Sequence, residues 1–236
     1  PGQLSDRLGT NTAETCNTYN MLKLTSLLFE REPRAGYADY AERALWNHIL
    51  AARHPETGRV CYFLTLQPGA TRRFIGELDF TCCNGSGMEI PLRTLDYLFY
   101  HSDDALWVNQ FIPAEAQWSQ RGVTIRQETA FPDESQTKLT LRCAAPTTFA
   151  LHVRRPPWAG DGFAIAVNGE QVDVDAEPGS FASLAREWAD GDVVLGAGGW
   201  RVLSGDAIVA RLAEALRPRC CVFLTDVDGV YDSDPR

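Results

Sequence analysis

The feature that most constrains this chain is a change of hydrophobic period at Asp104. Before it, apolar residues recur at the 3.6-residue spacing of a helix with one buried face, and after it they alternate like a strand with one buried face. Such a chain builds helices first and sheets second. Thr15 to Glu30 and Tyr37 to Leu50 carry the helical spacing, the second through Tyr37, Tyr40, Ala41, Ala44, Leu45, His48 and Ile49. Pro33 and Gly36 separate the two and predict an antiparallel helical hairpin. A third helix is expected between Met88 and Tyr100, with Met88, Leu92, Leu95 and Phe99 inward and Pro91 in its first turn.

Beyond Asp104 come short alternating runs: Val123 and Ile125; Leu139, Leu141 and Cys143; Phe149, Leu151 and Val153; Phe163, Ile165 and Val167; Val172 and Val174. Pro132-Asp133, Pro156-Pro157, Asn168-Gly169 and Pro178-Gly179 punctuate them, and the whole predicts an antiparallel β-sandwich. Asn168-Gly169 is the strongest single hairpin signal. After Leu195 the pattern changes again. Ser204 to Leu216 reads as a helix, Cys221 to Leu224 as a buried strand, and Asp226-Val227-Asp228-Gly229 as an acidic turn, a short α/β fragment. The expected divisions are therefore 1–104, 105–194 and 195–236.

Charge and cysteine usage narrow the function. Thirty-one acids against 22 Lys plus Arg give a net charge of −9 with no basic stripe, which argues against a nucleic-acid partner. No apolar run approaches the roughly 18 residues of a membrane span, so a membrane function is not expected either. The opening at Pro1 and the closing Ser233-Asp234-Pro235-Arg236 read as a fragment cut at both ends, and the expected location is cytoplasmic. The seven cysteines, Cys16, Cys61, Cys82, Cys83, Cys143, Cys220 and Cys221, form an odd set with two adjacent pairs. Secreted disulfide frameworks are not laid out that way, and metal binding or thiol chemistry is the sharper reading for such a pair.

Glu14, Cys16, Cys82 and Cys83 are the candidate site. In an extended stretch residues two apart share a face, so Glu14 and Cys16 can reach one ion together. Neighbours such as Cys82 and Cys83 diverge in a regular strand, and the glycines of Asn84-Gly85-Ser86-Gly87 could supply irregular backbone that turns both sulfurs one way. One carboxylate and three thiols make a tetrahedral set suited to zinc. The alternative is inert buried thiols beside an exposed glutamate.

Four segments bear on that choice: Glu14-Thr15-Cys16-Asn17-Thr18-Tyr19-Asn20-Met21-Leu22-Lys23-Leu24, Thr81 through Glu89, Gly122 through Thr129, and Trp188-Ala189-Asp190-Gly191-Asp192-Val193-Val194. In this order they resemble glycoside hydrolase family 127, the β-L-arabinofuranosidase family. The resemblance implies the C-terminal part of an (α/α)6 barrel followed by a β-sandwich. It also implies zinc held by Glu14, Cys16, Cys82 and Cys83, with Cys82 as nucleophile in a retaining hydrolysis of an arabinofuranoside-containing glycan. The family's acid/base glutamate lies before the Glu-Thr-Cys motif, and Pro1 to Ala13 contain none. About three helices are expected where twelve close a barrel, so little or no turnover is expected of the chain as it stands.

The tail resembles a second family. Val202 to Val209, containing Ser204-Gly205-Asp206, and Phe223 to Asp232, containing Thr225-Asp226-Val227-Asp228-Gly229, are similar to amino acid kinases of the isopentenyl phosphate kinase type. The two resemblances meet at Gly191-Asp192-Val193-Val194-Leu195, which predicts a chimera joined through that string; the alternative is a divergent last strand of the sandwich. Two rival functions follow: a zinc-stapled module that binds carbohydrate or a partner without catalysis, and a phosphotransferase remnant. His48, His54, His101 and His152 are scattered, and His48 reads as a core residue. Asp103-Asp104 and Asp133-Glu134 read as solvated loop charges, and Trp107, Trp118, Trp158 and Trp188 as packing residues on or beside strands.

Overall fold

The computed structural model describes residues 9–11, 13–65, 67, 69–76 and 79–197. The expectations for Ser204–Asp232, helix, strand and kinase-like motifs alike, lie outside the described residues.

Three helices precede the sheets. α1 (Thr15–Arg31) buries Thr15, Tyr19, Leu22, Thr25 and Phe29, one face at helical spacing. α2 (Ala35–Ala44) buries four alanines together with Asp39 and Glu42 and continues into a π-helical turn over Leu45–Leu50. α3 (Cys82–Arg93) begins six residues before its expected start. Asn84-Gly85-Ser86-Gly87 is helix and not irregular backbone, because Thr81 caps it: Asn84 Oδ1 accepts the Thr81 N–H at 2.8 Å in a capping box. Pro91 consequently lies near the helix end and not in the first turn. A 3-10 turn over Thr94–Tyr97 follows, and Phe99 already belongs to a strand.

The expected inward face of this helix is corrected too. Met88, Leu92 and Leu95 are 64%, 77% and 62% exposed, while Cys83, Ser86, Gly87 and Ile90 are buried. Of this buried face Ile90 joins the helical core of Tyr19, Leu22, Ala41, Ala44, Leu45, Ile49 and Tyr97, while Cys83 packs with Val60 and Ile75.

The remainder forms two sheets. One has four strands, β1 (Phe99–His101), β2 (Ala105–Val108), β6 (Thr147–Arg155) and β9 (Ser180–Trp188), in that spatial order. The other has six, in the order β3 (Ala114–Trp118), β4 (Val123–Thr129), β5 (Gln136–Cys143), β10 (Val193–Ala197), β7 (Ala164–Val167) and β8 (Glu170–Val172). All pairs are antiparallel except β2 with β6. That exception arises because the chain leaves β2, builds β3 to β5 in the other sheet, and returns as β6 running the same way. Inward residues of both sheets, among them Val108, Ile125, Leu141, Leu151, Ile165, Trp188 and Val194, form one hydrophobic cluster. The Asn168-Gly169 turn joins β7 to β8 with positive φ at both residues (52° and 85°), as a tight right-twisted hairpin requires.

A buried polar knot ties α2 to the sheets. Arg154 on β6 is fully buried, pairs with Asp39 and Glu42, and donates from Nε to Asn109 O at 2.6 Å. Trp158 Nε1 donates to Glu42 at 2.6 Å, and Gln110 Nε2 to Ala38 O at 2.8 Å. Among the described residues no helix is long and apolar enough to cross a membrane.

Candidate metal centre

Two helix N-termini bring the thiols together. Glu14 is the extended residue before α1, and Leu64 N–H donates to Ala13 O at 2.9 Å, which pins this approach beside the 60–64 segment. Cys16 lies in the first turn of α1, and Cys82 and Cys83 are the first two residues of α3. Successive helical residues diverge by about 100° where strand neighbours diverge by about 180°, so the helix itself lets both sulfurs face one point. The partial positive charge of a helix N-terminus also favours anionic ligands there.

One ligand atom from each of Glu14, Cys16, Cys82 and Cys83 lies within 4.8 Å of all the others. Cys16 Sγ is 3.2 Å from Cys82 Sγ and 3.5 Å from Glu14 Oε2, and Cys82 Sγ is 3.6 Å from the same oxygen. Cys83 is fully buried, its sulfur 3.7 Å from Tyr62 O, whereas Cys82 is exposed. Val60, Ile75 and Cys83, with Cys16 and Tyr62 against them, form a small apolar floor. Gly87 makes that floor possible: a Cβ there would stand 3.0 Å from Val60 Cγ1. Burial first, then hydrogen bonds with Cys82, Cys83 and Glu14, holds the Cys16 thiol well above its usual pKa.

Two parts of the site were not read from sequence. Tyr62 sits beside the cluster, its phenol pushed above its ordinary pKa chiefly by the Glu14 carboxylate. Nothing in the aperiodic 51–80 stretch marks it out. The Thr81-x-x-Asn84 cap was legible in principle, but the glycines that follow masked it. The other candidates fall elsewhere: His48 Nδ1 pairs with Thr18 Oγ1 at 2.8 Å, His101 stacks on Trp118 and His152 on Trp107. Trp118 and Trp188 are buried in the sheet core.

The family model for the GH127 β-L-arabinofuranosidase catalytic domain matches residues 1–95, and the model for the GH127 middle domain matches residues 105–195. Residues 1–195 belong to glycoside hydrolase family 127. This GH127 portion is 23% identical over 182 residues to a non-reducing end β-L-arabinofuranosidase of Bifidobacterium longum subsp. longum, a match covering 70% of this chain and 28% of that protein. It is similar in structure to a GH127 β-L-arabinofuranosidase from Geobacillus stearothermophilus T6, with a TM-score of 0.70 and 26% identity, covering 81% of this chain and 32% of that one. The chain thus spans about a third or less of the length of these relatives.

A third family model, the amino acid kinase family, matches residues 166–236. An isopentenyl phosphate kinase of Thermoplasma acidophilum is 57% identical over 35 residues, 15% of this chain and 14% of that protein. The kinase match overlaps the GH127 middle domain over 166–195. Within that overlap β10 pairs with β5 on one side and β7 on the other in the six-stranded sheet, while β9 pairs with β6 in the four-stranded one.

The donor set of the GH127 portion fits a zinc ion: three sulfurs and one carboxylate oxygen in reach of a single four-coordinate centre, with one sulfur facing solvent.

Proposed function

We infer that Glu14, Cys16, Cys82 and Cys83 hold one zinc ion and that Cys82 is the nucleophile of a retaining glycoside hydrolase acting on β-L-arabinofuranosides. The observation that carries this is the convergence of the four ligand atoms within 4.8 Å, with Cys82 the one exposed thiol among them. Bound zinc would supply the thiolate state that attack on an anomeric carbon needs. Cys82 Sγ forms a bond to that carbon while the glycosidic oxygen leaves with a proton from a general acid. Water activated by the same group then releases the sugar with retention. Cys83 and Cys16 orient the nucleophile: Cys83 is locked by burial against Val60 and Ile75, and Cys16 stands 3.2 Å from Cys82. The sheets, joined to α2 through Arg154, act as the support.

Retaining hydrolysis also needs an acid/base carboxyl. The chain spans about a third or less of the length of its GH127 relatives, so the test supplies the remaining helical portion from one of them. With it, β-L-arabinofuranoside hydrolysis appears, and Cys82→Ser abolishes it while the protein stays folded. Hydrolysis retained by Cys82→Ser removes Cys82 as nucleophile and leaves the site a structural staple.

A further inference from the structure

Three thiols around one point can take a ligand that has no use for the carboxylate. We propose that Cys16, Cys82 and Cys83 together bind trivalent arsenic, delivered as uncharged arsenous acid, with Glu14 left uncoordinated. The proposal rests on the reading of these side chains as one metal site, and extends it to a different class of ligand.

Geometry favours it. Arsenic(III) makes three bonds and directs a lone pair along the fourth direction, so a three-sulfur pocket with a spectator carboxylate matches its valence. A tetrahedral zinc with sulfurs at about 2.3 Å spaces them about 3.8 Å apart. Pyramidal arsenic, with angles nearer a right angle, draws sulfurs closer, and Cys16 Sγ and Cys82 Sγ are already 3.2 Å apart. The third sulfur is fixed as well, since Cys83 is wholly buried between Val60, Ile75 and Tyr62 O. Because the thiols start from two packed helix ends, little ordering remains to oppose chelation. Cys82, exposed, is the point of entry. Each As–OH bond is exchanged for an As–S bond: three S–H and three As–O bonds break, three As–S bonds form, and three waters leave with no change of oxidation state.

Among the described residues no other thiols offer this. Cys61 and Cys143 are buried and stand outside the cluster, and Cys220-Cys221 can supply two sulfurs at most. The arrangement makes arsenous acid a blocker of the thiol proposed to attack the sugar.

The test uses the full chain carrying Cys220→Ser and Cys221→Ser, stripped of metal, titrated with sodium arsenite and examined by native mass spectrometry alongside zinc titration. Expected is one arsenic per chain with every hydroxyl expelled. Glu14→Gln should keep arsenite affinity within about threefold while losing at least about tenfold in zinc affinity. Cys16→Ser should give a weaker adduct that retains one hydroxyl. An adduct with a hydroxyl in the unsubstituted site overturns the proposal, as does Glu14→Gln losing arsenite together with zinc. Should Cys16→Ser fail to fold, the composition of the adduct with all three thiols present decides alone. Zinc bound without arsenite defeats only this proposal; arsenite bound through three sulfurs without zinc defeats only the zinc reading.

Discussion

The helical layer and the paired sheets solve burial differently. In the sheets, alternation places Leu141, Leu151, Ile165, Trp188 and Val194 at full burial inside one shared cluster. In the helices, α1 and α3 each bury one face yet leave Leu27, Met88 and Leu92 more than 60% exposed, as is Leu95 in the 3-10 turn that follows. Period alone does not tell which apolar stripe of a helix is covered, because a helix can present two; a strand in a two-sheet core has one inward side only. The thiol cluster sits on the less completely covered of the two regions, while the buried Arg154 joins α2 to the other.

The largest expected effect falls on that junction. Arg154→Ala leaves buried Asp39 and Glu42 without their shared cation, Glu42 keeping only the Trp158 N–H, and chemical denaturation should show a loss of about 3–5 kcal/mol. The two regions then separate under matched truncations. Leu151→Ala, at a position with no exposure, should cost about 2–5 kcal/mol. Leu92→Ala, at 77% exposure, should stay within about 0.5 kcal/mol. Equal losses at the two leucines would mean that the helical face is covered as fully as the sheet core.

Gly87→Ala probes the floor of the site. The new methyl meets Val60 Cγ1 at 3.0 Å and should cost about 1–3 kcal/mol, with a matching fall in zinc affinity because Val60 also packs on Cys83. Unchanged stability and affinity would show that Val60 yields freely.

The smallest effect belongs to the turn before β10. Burial pulls the Asp192 carboxyl upward, but the Ala189 N–H at 2.8 Å and the Asn168 amide at 2.9 Å outweigh it, so the folded pKa lies below the ordinary value. A depressed carboxyl contributes stability that is complete above the unfolded value of about 3.9 and fades as pH falls through the lower folded one. Asp192→Ala should therefore cost about 1 kcal/mol at neutral pH, and the difference from the unsubstituted chain should close below about pH 4. A gap that widens on acidification contradicts the assignment.

Legibility followed the same divide. Alternation in Val123–Ile125, Leu139–Cys143 and Phe149–Val153 led straight to buried strand faces, and Asn168-Gly169 to its hairpin, because side chains on a pleated sheet have only two sides. The parallel β2–β6 pair was out of reach, since partner choice depends on a crossover that local pattern does not encode. At the site, the four side chains that converge were legible as residue types and through the family resemblance. The reason offered for their convergence was wrong: glycine-rich loop gave way to helix because one threonine cap outweighed two glycines. Tyr62 stayed hidden because its neighbours in 51–80 carry no period.

The account stands or falls on what the chain binds at its paired helix ends. Zinc K-edge X-ray absorption on the full chain with one equivalent of zinc measures this directly. The account predicts a coordination shell of three sulfurs and one oxygen that loses a sulfur in Cys83→Ser. A shell of nitrogen and oxygen alone, or zinc that fails to bind stoichiometrically, contradicts it.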